Sequence, residues 1–235
     1  MFGVRSFADE NRFAGISREN FPVQRSKMVE SQLRRRGISS ERVLAAMGAV
    51  PREEFVPPDE RPKAYADMPL RIGNGQTISQ PYIVGAMVEA LELFGIERVL
   101  EVGAGCGYEA AVLSLLAREV FAMEWHEALA AGANKRLAAL GYGNAHVITG
   151  DGAMGYPPAA PFDRIVVAAA APGMPPPLRE QLADGGLLVI PVGGPESQEL
   201  LQMRRRGSEF VEKWICTCRF VPLLGRHGWE ARPSR

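Results

Sequence analysis

The sequence VLEVGAGCGYEAAVL, residues 99–113, joins a short apolar strand to a helix through a loop with three alternate glycines. These are Gly103, Gly105 and Gly107, and a residue without a Cβ lets the backbone approach a ligand closely. In an open α/β sheet, nucleotide-like cofactors bind at such a junction, where loop amides are available at the helix N-terminus. The motif therefore predicts a cofactor site, with a tight turn that holds no ligand as the alternative.

The spacing of the glycines separates two classes of cofactor loop. A dinucleotide-binding loop reads G-x-G-x-x-G, whereas Tyr108 stands here in the place of the third glycine. The acidic Glu101 lies two residues before the first glycine. A G-x-G-x-G loop after an acidic strand end resembles motif I of S-adenosylmethionine-dependent methyltransferases, so the motif favours that cofactor over a dinucleotide.

The segments around this loop predict a doubly wound α/β sheet, similar to the Rossmann-like sheet of methyltransferases. Strands are expected at 98–102, 119–123, 145–149, 162–168 and 187–192, and helices at 107–117, 126–140 and 175–183. This alternation is typical of a mostly parallel sheet. Two further strands, 200–205 and 209–222, predict a C-terminal antiparallel hairpin that turns at 206–208.

Three helices are expected before the sheet. The first covers 24–36, and Ser39 or Ser40 caps the second, which ends at Pro51. The third begins at Pro81, which places Ser79 at its N-terminus. Its apolar face is predicted to contain Ile83, Val84, Met87, Val88, Leu91 and Phe94. A proline-rich loop, 51–75, with short edge strands, connects the second and third helices.

Composition limits the classes of protein. The 235 residues are 46% hydrophobic, and 27 basic residues balance 27 acidic ones, so no field of one sign predicts a nucleic-acid or membrane partner. Three unevenly spaced cysteines favour a reducing, cytoplasmic location without a zinc site. Residues 1–25 carry no signal-peptide pattern, and we expect a poorly ordered or loosely packed extension before a single domain, 26–235.

Three carboxylates follow consecutive predicted strands. Glu101 closes the first strand, Glu124 closes the second, and Asp151 with Gly152 follows the third. The carboxyl ends of parallel strands meet at one edge, so these side chains are expected to converge. An acid about twenty residues past a glycine loop suits the ribose hydroxyls, which predicts that role for Glu124 and leaves the adenine amino group to Asp151. Each acid alone could be an ordinary surface residue.

Six segments resemble protein-L-isoaspartate (D-aspartate) O-methyltransferases, in the order found in that family. They are MVESQL at 28–33, VPREEFVP at 50–57, GQTISQPY at 75–82, GDG at 150–152, AAPFD at 159–163 and RFVPL at 219–223. The resemblance extends from about residue 26 to 225. The GQTISQP stretch is its most specific part, because general methyltransferases lack it.

The resemblance implies methyl transfer from S-adenosyl-L-methionine to the free carboxylate of L-isoaspartyl, and also D-aspartyl, residues in damaged proteins. The product S-adenosyl-L-homocysteine is released, and repair proceeds through a succinimide. Ser79 is implied as the catalytic residue, with a helix cap as its alternative or additional role. No metal, nucleic acid or membrane is expected, and the protein is expected to be a monomer. The implied cofactor-binding residues are Thr77, Ile78, Glu101, Gly103, Ala104, Gly105, Gly107, Glu124, Trp125, Asp151 and Gly152.

The implied chemistry requires no general base. A carboxyl group with a pKa of about 3.9 is already ionised at pH 7 and can attack a sulfonium methyl directly. The three histidines, His126, His146 and His227, accordingly need no catalytic arrangement. Positioning of the reactants and exclusion of water can lower the activation barrier by roughly 7 to 11 kcal/mol when the reacting atoms are well aligned.

Several residues depart from the family pattern. Cys106 and Glu109 stand in the glycine loop in place of the usual serine and glutamine, Ala168 replaces a frequent threonine, and Trp125–His126 is an unusual pair. Two alternatives stay open, and only the first of them is motivated by these departures. One is a carboxylate methyltransferase for a different or modified peptide, and the other is a non-catalytic module that binds S-adenosylmethionine.

Overall fold

A computed structural model describes residues 20–229. Its main feature is a seven-stranded sheet with the order β5-β4-β3-β6-β7-β8-β9. The strands of this sheet are β3 (Arg98–Val102), β4 (Glu119–Glu124), β5 (Ala145–Thr149), β6 (Phe162–Val167), β7 (Leu182–Gly193), β8 (Gln198–Arg206) and β9 (Glu209–Cys218). The strands from β3 to β7 are parallel, whereas β8 and β9 are antiparallel to their neighbours. The predicted doubly wound, mostly parallel sheet is confirmed.

Helices cover both faces of the sheet. They are α1 (Phe21–Met28), α2 (Glu41–Ala49), α3 (Pro81–Ala90), α4 (Tyr108–Ser114), α5 (Glu127–Ala139) and α6 (Pro176–Gln181). One apolar cluster packs α2 to α5 against the sheet, and a second packs α6 and the turns near Ala153 and Ala159. The central strands are apolar on both faces because helices bury both of them.

The order of the strands reverses at β3. The chain continues from β3 through β4 to β5 on one side, and from β6 to β9 on the other. In open α/β sheets, ligands bind at the carboxyl ends of the strands where this reversal occurs. The glycine loop, residues 103–107, follows β3 directly and therefore lies at the reversal point.

The C-terminal hairpin is confirmed, with Gly207 at its turn in a left-handed conformation of φ +59°. Strand β7 begins at Leu182, five residues before its predicted start, because Leu182 pairs with Phe162 ahead of an irregularity in register. The hairpin places β9 at the edge of the sheet.

The N-terminal helix begins earlier than predicted. Helix α1 starts at Phe21 and continues through a π-helical turn and a 3-10 turn to Arg36. Arg25 donates to the Tyr65 hydroxyl and pairs with Glu53 at 2.9 Å, so this part of the chain packs on the domain. The boundary predicted after residue 25 therefore falls inside a helix, and the remainder of the predicted extension, 1–19, lies outside the described residues.

The helices before β3 follow the predicted signals only in part. The Ser40 hydroxyl caps α2 by accepting from Val43 N at 3.4 Å. Pro81 is the first residue of α3, but this helix ends at Ala90, and Phe94 is 67% exposed. The prediction that Phe94 belongs to the apolar face was wrong. The buried Glu97 carboxylate accepts hydrogen bonds from the backbone amides of residues 94–96, which turns the chain away from the direction of α3.

A separate antiparallel pair precedes α3, with β1 (Leu70–Gly73) and β2 (Gln76–Ile78). Five prolines and two 3-10 turns shape the loop before it, as the composition of that segment predicts. Among residues 20–229, no helix has the length and apolar content needed to cross a membrane.

Candidate active site

Three adjoining cavities lie at the carboxyl ends of β3, β4 and β6, and Thr77 and Ala168 line all three. The Glu124 pocket is lined by Glu124 and Trp125 after β4 and by Gly152 after β5. The Glu101 pocket lies on the other side of the glycine loop and contains Glu101, Ile78 and Ser79. The Ser79 groove connects Ser79 with the segment 217–221.

The structure brings most of the predicted site residues together. The Glu124 pocket contains Thr77, Gly103, Gly105, Glu124, Trp125 and Gly152, and the Glu101 pocket contains Thr77, Ile78, Ser79, Glu101, Gly103, Ala104 and Gly105. Gly107 and Asp151 line none of the three cavities. Gly107 instead packs under α5, where an added Cβ would lie 3.1 Å from the Cβ of Ala133.

Four of the five amides of the glycine loop are bonded within the protein and are not available to a ligand, contrary to the prediction. Gly103 N and Ala104 N both donate to the carbonyl of Met123, and Gly107 N donates to the carbonyl of Ala104. Gly105 N donates to the Glu124 carboxylate at 2.8 Å. The pyrophosphate of a dinucleotide needs free amides at this position, so the hydrogen bonds of the loop disfavour that cofactor. The spacing of the glycines alone does not give this reason.

Glu124 is buried and fixed by two backbone amides. Its Oε2 accepts from Gly105 N and its Oε1 from His126 N, both at 2.8 Å. An ionised carboxylate has about four lone-pair sites, so each oxygen can accept one further hydrogen bond. The side chain is therefore held rigidly and keeps acceptor capacity on the side of the pocket, which suits a pair of ribose hydroxyls.

Asp151 has a structural position that its sequence context does not reveal. Its Oδ1 accepts from Ala153 N at 2.9 Å and caps a 3-10 turn, while its Oδ2 accepts from Arg226 N at 2.8 Å. A Cβ added at Gly225 would lie 2.0 Å from Oδ1, so the chain there passes directly against the carboxylate. Asp151 thus connects the turn after β5 to segment 221–226, the first part of which lines the Glu124 pocket. The contact of Asp151 with adenine stays a prediction.

Glu101 and Glu109 form an acid pair beneath the glycine loop. Neither Glu101 oxygen has a hydrogen-bond partner among the described residues, and Oε1 of Glu109 likewise has none. Burial, followed by the nearby Glu109 and Glu124 carboxylates, raises the pKa of Glu101 well above its usual range. Burial also raises the pKa of Glu109 to about 8. Buried carboxylates without partners fit a cationic ligand, since a cation would satisfy them and restore their ionised form.

Ser79 lies where the Glu101 pocket meets the Ser79 groove. The predicted alternative role as a helix cap was wrong, because Gln80 occupies the N-cap of α3 and no side chain caps that helix. The backbone carbonyl of Ser79 accepts from the Arg52 guanidinium at 2.7 Å. The serine therefore stands beside the cavities rather than in its own helix, at the point where a groove from the surface reaches the acid pair.

Several pocket residues were absent from the predicted site. Ala168 follows the end of β6, so the same strand-end rule that selected Glu124 also indicates this position. Val221 lines both the Glu124 pocket and the Ser79 groove. It is 119 positions from Val102 in the chain, and no local pattern links it to the glycine loop. Glu109 was noted only as a departure, because a helical glutamate carries no signal of burial.

The chain matches known proteins over nearly its whole described length. Residues 23–228 match the family model of protein-L-isoaspartate(D-aspartate) O-methyltransferase. A protein-L-isoaspartate O-methyltransferase of Roseiflexus castenholzii is 54% identical over 218 residues, covering 92% of this chain and 100% of that protein. One from Methanoregula boonei is 54% identical over 207 residues, covering 88% and 95% of the two chains.

Solved structures give the same result. One protein-L-isoaspartate O-methyltransferase superposes with a TM-score of 0.78 at 28% identity, covering 87% of this chain and 67% of that one. A candidate member from Plasmodium falciparum, in complex with S-adenosyl-L-homocysteine, has a TM-score of 0.74 at 23% identity, covers 85% of this chain and 98% of its own, and supports the fold. The chain therefore belongs to the protein-L-isoaspartate(D-aspartate) O-methyltransferase family.

Proposed function

We propose that this protein methylates the free carboxylate of L-isoaspartyl residues in damaged proteins, with S-adenosylmethionine as the methyl donor. One observation supports the proposal above all others. Two acid-lined pockets and the Ser79 groove meet at Thr77 and Ala168, so a cationic donor and an anionic acceptor can approach one point from opposite sides. Membership of the family supplies the identity of the acceptor.

The residues present fit the proposed donor. Glu124 keeps acceptor lone pairs toward its pocket and would hold the ribose hydroxyls, and Trp125 lines the same pocket. The unpartnered oxygens of Glu101 and Glu109 would accept from the ammonium of the methionine end. When bound, S-adenosylmethionine supplies a methyl group on a positively charged sulfur.

Ser79 would act on the acceptor. Its hydroxyl can donate to one carboxylate oxygen and leave the other free to attack the methyl carbon in line with the carbon–sulfur bond. In that step the new carbon–oxygen bond forms as the carbon–sulfur bond breaks, and the sulfur keeps the electron pair. Because the carboxylate is ionised at pH 7, the step requires no proton transfer. The backbone amide nitrogen of the following residue then attacks the ester carbonyl, methanol leaves, and hydrolysis of the resulting succinimide regenerates normal aspartate.

The wider setting of the enzyme is also proposed. We propose a monomer with a single domain that begins with α1. The balanced charge supports protein rather than nucleic-acid partners. The proposed cytoplasmic location depends on the small number of cysteines, all of which are unpaired in the structure.

The proposal is tested with labelled S-adenosylmethionine and two peptides that differ only in an isoaspartyl or normal aspartyl residue. We expect base-labile methyl ester from the isoaspartyl peptide at a rate at least 100-fold above the control, with a third D-aspartyl peptide measuring the secondary activity. Equal labelling of the two main peptides would overturn the proposal.

Two other outcomes identify the alternatives. Much faster methylation of another carboxylate peptide would assign a different acceptor within the family. Calorimetric binding of S-adenosylmethionine without methylation of any carboxylate would indicate a non-catalytic module.

A further inference from the structure

Arg52 is a fully buried cation that the proposed chemistry does not use. Its exposure is 0%, and among residues 20–229 no carboxylate forms an ion pair with it. Its charged plane lies 4.8 Å from the centre of the Tyr108 ring, which supplies a cation–π contact in place of a counter-ion. Burying an ionised side chain without a charged partner is costly, so its position in the fold requires a reason beyond packing.

The guanidinium links two segments that are distant in the chain. Its Nε donates to the Ala64 carbonyl at 2.8 Å, and its Nη2 donates to the Ser79 carbonyl at 2.7 Å. The third nitrogen, Nη1, is buried and has no hydrogen-bond partner among residues 20–229. A planar fork can hold two carbonyls at a fixed angle, which a lysine ammonium cannot do. Arg52 therefore fixes the backbone of the serine that faces the cavities.

The charge of Arg52 has a second consequence. Tyr108, against which the guanidinium lies, lines the Glu101 pocket together with Ser79. No carboxylate among residues 20–229 forms an ion pair with this charge, although Glu101 and Glu109 line the same pocket, and charges act over longer distances in a poorly solvated interior than in water. An anionic acceptor beside Ser79 would experience this charge as an attraction.

We propose that Arg52 is a positioning residue for methyl transfer, which holds the Ser79 backbone in place and provides a buried positive charge behind the acceptor carboxylate. The inference rests on the proposed function of Ser79. The two roles of Arg52 affect different kinetic constants. Its hold on the Ser79 backbone affects kcat, whereas its positive charge contributes to KM for the isoaspartyl peptide.

The test compares Arg52→Lys, which keeps the charge and loses the fork, with Arg52→Met, which loses both. For Arg52→Lys we expect kcat to fall about tenfold or more, since misplacement by about an ångström can cost up to 100-fold, with KM for the peptide unchanged. For Arg52→Met we expect the same fall in kcat together with a rise in KM. Calorimetric Kd for S-adenosylmethionine is expected to stay within about threefold in both.

Arg25→Gln is the matched control. The Arg25 side chain, in α1, donates to Tyr65 and Glu53 in the loop that follows Pro51. None of its hydrogen bonds is made to Ser79. Its kcat and KM are expected to equal those of the wild-type protein, even where its melting temperature is lower. The control therefore separates general destabilisation of the loop from displacement of Ser79.

The outcomes are decisive in either direction. A kcat of Arg52→Lys within twofold of wild type, or a fall matched by an equal weakening of cofactor binding, would overturn the inference. If Arg52→Met does not fold, the Lys variant and the control still decide the positioning part, and Arg52→Gln, which is neutral and still polar, decides the charge part: an unchanged KM for the peptide would overturn it. Full activity in Ser79→Ala would instead refute the proposed role of Ser79.

Discussion

The cofactor side and the acceptor side of this active site are built differently. On the cofactor side, Glu124 reaches the glycine loop across 19 residues, and both elements are fixed by neighbouring parallel strands. On the acceptor side, Ser79 is held by Arg52 from a loop of 3-10 turns, and Val221 arrives from the far end of the chain. The sheet thus fixes the first side, whereas long-range side-chain contacts fix the second.

The two sides also differ in charge. Three buried carboxylates, Glu101, Glu109 and Glu124, surround the cofactor side, and the acceptor side has Arg52 behind it, which forms no ion pair in the part of the chain that the structure describes. This arrangement suits a cationic donor and an anionic acceptor. Variants on the cofactor side are therefore expected to change binding, and variants on the acceptor side to change turnover.

The largest effect is expected for Glu124→Ala. The substitution removes two hydrogen bonds from backbone amides and the proposed ribose contacts, and a hydrogen bond to a charged group contributes about 1.5 to 3 kcal/mol. A loss of about 3 kcal/mol corresponds to a roughly 100-fold higher Kd for S-adenosylmethionine, measured by calorimetry. Glu127→Ala, at an exposed position on α5, serves as the control. An unchanged Kd for Glu124→Ala would contradict the assignment of the pocket.

Ser79→Ala tests the acceptor side of the active site. Loss of one hydrogen bond to the charged acceptor is expected to lower kcat about 10- to 100-fold, while Kd for S-adenosylmethionine changes less than threefold. Single-turnover measurements with the isoaspartyl peptide give the chemical step directly. Ser31→Ala, whose hydroxyl donates only to the Lys27 carbonyl, is the control. Equal losses in binding and turnover would remove the distinction between the two sides.

The acid pair predicts a pH dependence of stability. The pKa of Glu109 is about 8 in the folded protein, against about 4.3 in an unfolded chain, so between these values the folded state retains a proton that the unfolded state has lost. Stability therefore falls as pH rises through this window, by up to about 1.4 kcal/mol per pH unit. Glu109→Gln removes this contribution, and in urea unfolding it should gain stability relative to wild type from pH 5 to 8.

Two controls accompany this measurement. Glu127→Gln changes an exposed carboxylate and is expected to leave the slope unaltered. Saturation of the wild-type protein with S-adenosylmethionine should flatten the slope, since a bound cation favours ionised carboxylates. A parallel pH dependence of wild type and Glu109→Gln would show that Glu109 does not hold the proton.

The smallest effect is expected for Asp151→Asn. The amide keeps the bond from Ala153 N but cannot accept from Arg226 N if its nitrogen occupies that position, so one neutral-to-charged contact is lost. We expect Kd for S-adenosylmethionine to rise less than about tenfold. Asp184→Asn makes the same change of side chain at a carboxylate near the β8–β9 hairpin, whose Oδ1 accepts from Gly185 N and Gly207 N, and it should leave Kd unchanged. A 100-fold effect of Asp151→Asn would instead indicate direct contact with the cofactor.

Local patterns predicted the elements that local physics controls. Alternation of apolar runs with glycine and proline gave every strand of the main sheet and the C-terminal hairpin, because period and turn chemistry are properties of a short segment. The same patterns failed where contacts with residues outside the segment determine where a helix begins or ends. Phe94 was assigned to a helix that ends at Ala90, and Ser79 to a cap that Gln80 occupies.

The fold class, the position of the cofactor loop and the carboxylates at the strand ends follow from the order of residues along the chain, because parallel strands bring their carboxyl ends to one edge whatever the side chains between them. The packing of distant segments determines which polar groups remain available to a ligand. Three of the loop amides donate to Met123 and Glu124, whereas both oxygens of Glu101 and Oε1 of Glu109 have no hydrogen-bond partner among the described residues. Hydrogen-bond partners and burial depend on which distant segments pack together, and spacing along the chain does not contain that information.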